Sequence, residues 1–437
     1  MYSRKEIWRI SLPILVSLFV QNLINITDTA FMGRVGQVEL GASALAGVLY
    51  LAFYMVTFGF STGAQILMAR RNGEAKYGTL GPIMGQGILF LEIFSIILIF
   101  ASLIGTPQML KGLISSTAVC QAGEDYMQYR IFGLLFTSIG VMFRAFFVAV
   151  TRTKVLMINA VIMTVANVVF NYIFVFGHFG APEMGIAGAA LGSVLAAALH
   201  FFLYTFFYID RGKYQLFRFR SGGFGLIREI LNVSVWSMIL YFLTIGTWFL
   251  FFVAVEHLGE LPLAISNIIR STSTLLFMPV NAFGATACTL VSNAMGARRA
   301  DDVIPIMRRI VKMCYAIVLP LIALLCLAPH WILLIYTNDS SLIAECTHSV
   351  YVMSSFYLIA LPGNILFQSV SGTGDTRTAF LIEMTTIVFY TLAIYWIIVT
   401  LQVDIAFCWT VEYVYWGFKL FLSFLFFKKT NWKVKKI

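Results

Sequence analysis

The chain is 437 residues long, 60% hydrophobic and only 11% charged, with a mean hydropathy of +0.87, which excludes a soluble domain with a solvated surface. Its net charge of +10 could suit nucleic acid, but the basic residues recur in every second loop, the pattern of the positive-inside rule. A membrane protein without a nucleic-acid partner is therefore expected, and no segment is left over for a soluble catalytic domain.

A spanning helix needs about 20 apolar residues, and hydropathy predicts twelve. The first six spans are read at 7–33, 40–69, 83–105, 124–150, 155–177 and 185–209, the second six at 229–255, 263–294, 310–335, 348–373, 379–400 and 406–427. The opening apolar run has no small-residue cleavage site, so it is expected to stay as the first span. After the second span come Arg70, Arg71 and Lys76, after the fourth Arg152 and Lys154, and after the sixth Arg211, Lys213, Arg218, Arg220 and Arg228. The series continues with Arg298, Arg299, Arg308 and Arg309, then Arg377, then Lys428, Lys429 and Lys433. Both termini are therefore predicted to be cytoplasmic. The six cysteines show neither CxxC nor Cys/His spacing, so no metal site is expected.

Sliding the chain against itself by 223 positions aligns residues 6–84 with 229–307 without a gap. Gly36, Gly73 and Pro82 meet Gly259, Gly296 and Pro305, and these loop and breaker matches weigh more than shared Leu or Phe. With a shift of 225, Thr151, Arg152 and Thr153 fall on Thr376, Arg377 and Thr378. The fold class expected is an all-α integral membrane protein, twelve transmembrane helices in two pseudo-symmetric six-helix lobes. The lobes are read as 1–209 and 229–437, joined by a basic cytoplasmic linker at 210–228. Six spans per copy give a parallel repeat, and paired lobes that rock about a central cavity meet the mechanical requirement of alternating access.

Ionisable or amide groups inside a span are costly and mark candidate sites. In the first span Gln21, Asn25 and Asp28 share one helical face. In the fifth, Asn167 and Asn171 stack four residues apart. Asp28 is the expected coupling residue, with Gln21, Asn25, Asn167 and Asn171 lining its site; interhelical hydrogen bonding is the competing reading of the amides. Arg144 and Glu256 are secondary candidates. Arg144 could instead snorkel to the interface, and Glu256 could be solvated. His200 reads as a packed residue, and Arg270 as a partner for one of the C-terminal acids.

The segment LPILVSLFVQNLINITDTAFMGRVG, the glycine-alanine elements STGAQILMARRNGEA and TLVSNAMGARR, and the runs NVVFNYIFVFG, GIAGAALGS and QSVSGTGDTR resemble the multidrug and toxic compound extrusion (MATE) family, its DinF-like branch in particular. The resemblance implies a bacterial inner-membrane efflux transporter that exchanges amphipathic or cationic organic compounds for protons or sodium. It implies no cofactor, a proton ahead of sodium as the coupling ion, small-molecule partners and a monomer in the bilayer. On the matching positions Asp28, Gln21 and Asn167 carry over, Asn171 stands where the branch often has a second aspartate, and Tyr126 is added near the outer end of the fourth span. The alternative is a flippase for lipid-linked oligosaccharide or peptidoglycan precursors from the same superfamily. An enzyme is not expected: HExxH and paired protease-type aspartates are both missing.

Overall fold

The computed structural model describes residues 2–113, 116–207, 212–216, 223–337 and 339–434, and among them there are helices and no strands. The first half contains α1 (Arg4–Val35), α2 (Gln37–Gly73), α3 (Leu80–Leu113), α4 (Thr117–Arg130), α5 (Gly133–Ala149), α6 (Lys154–Phe176) and α7 (Gly185–Phe207). The second contains α8 (Gly223–Glu256), α9 (Glu260–Gly296), α10 (Val303–Leu327), α11 (Pro329–Leu333), α12 (Ser340–Gly372), α13 (Thr376–Ile394), α14 (Ile405–Cys408) and α15 (Val411–Lys429). Helices with 32 to 37 residues, such as α1, α2 and α9, exceed the hydrocarbon thickness, so they tilt or extend beyond it.

By length and composition, ten helices among the described residues can cross a membrane, or eleven when α4 and α5 count as one span bent by 53°. Three expected spans are broken. The fourth bends at Ile131–Phe132, just before Gly133, where an added Cβ would stand 2.9 Å from Arg130 Nη1 and 3.2 Å from Val194. In the ninth, Pro329 ends α10: the residue before a proline is driven out of the helical region, and Ala328 sits at φ −134°, ψ 49°. The twelfth divides into α14 and α15, and Glu412, Lys419 and two terminal lysines lie along the 19-residue α15. Glu412 and Lys419 are buried, at 4% and 5% exposure.

The repeat is carried in the backbone. Adding 223 to the bounds of α2, 37 and 73, gives those of α9, 260 and 296, and the next short 3₁₀ turns, Tyr77–Thr79 and Ala300–Asp302, keep the same offset. Between them Ala75 and Arg298 both adopt left-handed φ, at 59° and 57°. The turn bonds repeat as well: Lys76 N–H donates to Arg71 O at 3.0 Å and Arg299 N–H to Ala294 O at 2.9 Å. The 225 offset read at Thr151 to Thr153 is not the structural register. Thr151, at φ 60°, corresponds to Gly374, at φ 93°, so a backbone requirement aligns this junction and the short Thr-Arg-Thr identity misleads.

Contacts gather the chain into two compact units, Val16–Tyr241 and Met1–Leu15 with Phe242–Ile437. The division runs through α1 and α8. In the first unit Ser234 Oγ donates to Phe60 O at 3.0 Å and packs on Gly63; in the second Ser11 Oγ donates to Thr286 Oγ1 at 3.0 Å. Ser11 and Gly63 are the repeat mates of Ser234 and Thr286, so each unit holds the opening turns of the other half's first helix. Of the basic segment read as a linker, residues 210, 211 and 217–222 lie outside the described residues. Tyr214 is buried, with its carbonyl accepting from Gly81 N–H at 3.0 Å, and residues from Gly223 onward already belong to α8.

Candidate functional site

A cavity of about 980 Å³ opens within the Val16–Tyr241 unit, walled by α1, α2, α4, α5, α6 and α7. The polar stripe of α1 faces it: Gln21, Asn25 and Asp28 all line the cavity, as their seven- and three-residue spacing on a helix requires. Tyr126 and Arg144 line it too. Its size suits a drug-sized organic molecule, and its wall is the usual mix of apolar surface and a few convergent polar groups.

Behind Asp28 runs an amide relay. Asn171 Nδ2 donates to Asp28 Oδ1 at 2.6 Å and to Asn167 Oδ1 at 3.2 Å, and Asn167 Nδ2 donates to Ser193 Oγ at 3.2 Å. Asn167 and Asn171 are 1% and 0% exposed, so they support Asp28 from the α6–α7 interface and do not line the cavity themselves. Room for this comes from Gly192 on α7, whose missing Cβ leaves space for the Asn171 side-chain oxygen. Asp28 has no ion-pair partner among the described residues. Its one side-chain bond is neutral, which leaves the carboxylate able to answer a cation or a proton.

Glu256 lies elsewhere. Its side chain is 64% exposed and 3.6 Å from His257 Nδ1, in the other unit. Arg144 does not reach for the helix end; its guanidinium lies 4.8 Å over the Phe58 ring. His200, read as a packing residue, also borders the cavity. Among the described residues Arg270 finds no acid, meeting Asn267 Oδ1 at 3.4 Å and the Phe252 ring at 5.4 Å.

Sequence reasoning missed Arg130. It closes α4 at the bend, enters the cavity wall and stacks 3.9 Å over the Tyr50 ring. The signal was available: Arg130 is four residues after Tyr126 and shares its helical face.

The family model described as MatE matches residues 13–173 and again 226–396, one match per half. The chain belongs to this family. The protein named "Probable multidrug resistance protein NorM" in Thermotoga maritima is 24% identical over 451 residues, covering 99% of this chain and 94% of that one. Its namesake in Neisseria meningitidis serogroup A is 25% identical over 299 residues, 66% of this chain and 64% of that one. Among solved structures, the outward-facing conformation of a multidrug resistance MATE family transporter of the MOP superfamily superposes with a TM-score of 0.90 at 15% identity, covering 99% of this chain and 97% of that one. A eukaryotic MATE transporter superposes at 0.81 with 18% identity, covering 98% and 96%. The MatE protein is thus a membrane transporter and not an enzyme, with the twelve-helix fold of its relatives.

Proposed function

We propose that this MatE protein is a multidrug efflux antiporter of the bacterial inner membrane, exchanging amphipathic organic compounds for protons or sodium by alternating access. The supporting observation is the placement of Asp28: a carboxylate on the cavity wall whose one bonded partner among the described residues is the amide of Asn171, 2.6 Å away. Ionised, it attracts a cationic group or coupling ion; protonated from the outside, it loses that attraction and releases its cargo. An amide can donate to the carboxylate and can also accept from the protonated acid, so the relay tolerates both states. The names of the NorM relatives support the multidrug reading, and the basic loops support cytoplasmic termini.

Proteoliposomes under separate proton and sodium gradients test the coupling. The wild-type protein should drive uphill export under one of them, and Asp28→Asn should bind substrate without exporting it uphill. Full-rate uphill export by folded Asp28→Asn protein would move the coupling site away from α1. Cysteines placed at Lys76, Ala300 and Lys433 should be protected from impermeant reagents outside intact cells, and labelling at any of them would overturn the proposed orientation.

A further inference from the structure

The charges around the cavity do not balance. Arg130 and Arg144 both line it, against one carboxylate, Asp28, already engaged by Asn171. Neither arginine has an ion pair with, or donates a side-chain hydrogen bond to, a carboxylate among the described residues. Arg130 Nη1 is buried without a hydrogen-bond partner, although the charge of Arg130 is close enough to act on Asp28.

Arg144 is the more isolated of the two. The groups it meets are aromatic: Phe58 lies under the guanidinium at 4.8 Å and Tyr54 is near enough to feel its charge. A cation held over an aromatic face is oriented by the ring, but that contact leaves its five N–H donors in search of acceptors. An unpaired guanidinium inside a membrane protein is expensive, and the groups that satisfy it best are planar or tetrahedral oxyanions, which take two of its donors at once. Asp28 does not serve: it is held by the α6–α7 relay, and no ion pair joins it to Arg144 among the described residues.

From this we infer that the cavity recognises amphiphiles bearing an acid group, a carboxylate, sulfonate or phosphate monoester, with Arg144 as the anion receptor and the aromatic and aliphatic wall formed by Tyr54, Phe136 and Val141 taking the apolar body. This inference rests on the efflux reading and narrows its substrate class; Arg144 is assigned to substrate recognition and Asp28 to coupling.

The test uses the full-length purified protein and two probes with the same ring system, 2-naphthoate and 2-naphthylmethylammonium, with binding read by calorimetry and transport by flux in proteoliposomes. The carboxylate should bind more tightly than the ammonium. Arg144→Gln should weaken carboxylate binding about tenfold or more, the scale of a lost charge-assisted hydrogen bond, without weakening the ammonium, whereas Arg144→Lys should keep most of the carboxylate affinity. Asp28→Asn should leave carboxylate binding intact and abolish its uphill transport. Tighter binding of the ammonium, unchanged carboxylate binding in Arg144→Gln, or equal loss of both probes in Arg144→Gln and Arg144→Lys would each overturn the inference. Failure of both probes to be transported, with carboxylate binding lost selectively in Arg144→Gln, would instead count against the efflux reading and leave the anion site standing.

Discussion

Lys419 Nζ lies 2.8 Å from Glu383 Oε2, and the two side chains are 6% and 0% exposed. Tyr415 ties them together, donating its hydroxyl proton to Glu383 Oε1 at 2.6 Å and accepting from Lys419 Nζ at 2.7 Å. One helical turn away Glu412 takes hydrogen bonds from Tyr390 Oη at 2.8 Å and Trp416 Nε1 at 3.1 Å. Charges this deep are tolerated only as a satisfied set, because removing one partner strands the other. Lys419→Met should therefore destabilise the protein by about 3–5 kcal/mol, read as a fall in the detergent melting temperature. The double variant Lys419→Met, Glu383→Gln should recover much of the loss. Equal melting of the single variant and the wild type would show that the pair contributes nothing.

Gly192 offers a second test of packing, this time beneath the coupling carboxylate. A methyl group there collides with the Asn171 side-chain oxygen, and Asn171 is held in place by its bonds to Asp28 on α1 and to Asn167 on its own helix. Gly192→Ala should displace the amide, impair coupled transport and cost stability on the scale of a core overpacking, about 1–3 kcal/mol. Transport at the wild-type rate in Gly192→Ala would show that the amide relay is dispensable.

At the end of α2, Glu74 meets Lys76 Nζ at 2.9 Å and Arg71 Nη1 at 3.1 Å, and Arg71 also pairs with Glu229 on α8. Partial burial pushes the Glu74 carboxyl up, but the bonds from Lys76 and Arg71 outweigh it and hold the group below the usual carboxylate range. A depressed folded-state value means that the stabilisation is present above the unfolded value and fades as the pH falls through the folded one. Glu74→Gln should thus lower the melting temperature at neutral pH and have little effect in strong acid. A difference between variant and wild type that stays constant across that range would contradict the linkage.

Much of this arrangement was legible in the sequence because it is written in local pattern. Gly36, Gly73 and their mates punctuate both halves in one register, and the turns at Ala75 and Arg298 follow from it. The Gln21, Asn25, Asp28 stripe faces the cavity because helical spacing leaves no other choice. What escaped depends on pairing between helices distant in the chain. Nothing local says that Lys419 meets Glu383, or that Arg270 meets Asn267 and Phe252 instead of an acid. Likewise the bend at Ile131–Phe132, beside which Arg130 enters the cavity wall, has no proline to announce it, and the exchange of opening turns between α1 and α8 is invisible to hydropathy.

The contact between Asn171 and Asp28 makes one substitution especially informative. Asn171→Asp places a second carboxyl group 2.6 Å from the first, where the amide nitrogen now donates. Two carboxylates at that separation cannot both ionise without a counter-ion, so they share a proton, and the pair titrates in two steps that belong to neither residue alone. Asn167 Nδ2 is already committed to Ser193, and Arg130, whose charge acts on Asp28, forms no ion pair with it among the described residues. The pH profile of uphill transport should therefore change from a single step to two in Asn171→Asp. Asn171→Leu, which removes the donor without adding a charge, should lower the rate and keep one step. Reconstituted variants assayed across a pH series under a fixed sodium concentration would distinguish these outcomes. A single step in Asn171→Asp, superimposable on the wild-type profile, would mean that Asp28 does not titrate in the transport cycle and that its carboxylate serves only to bind.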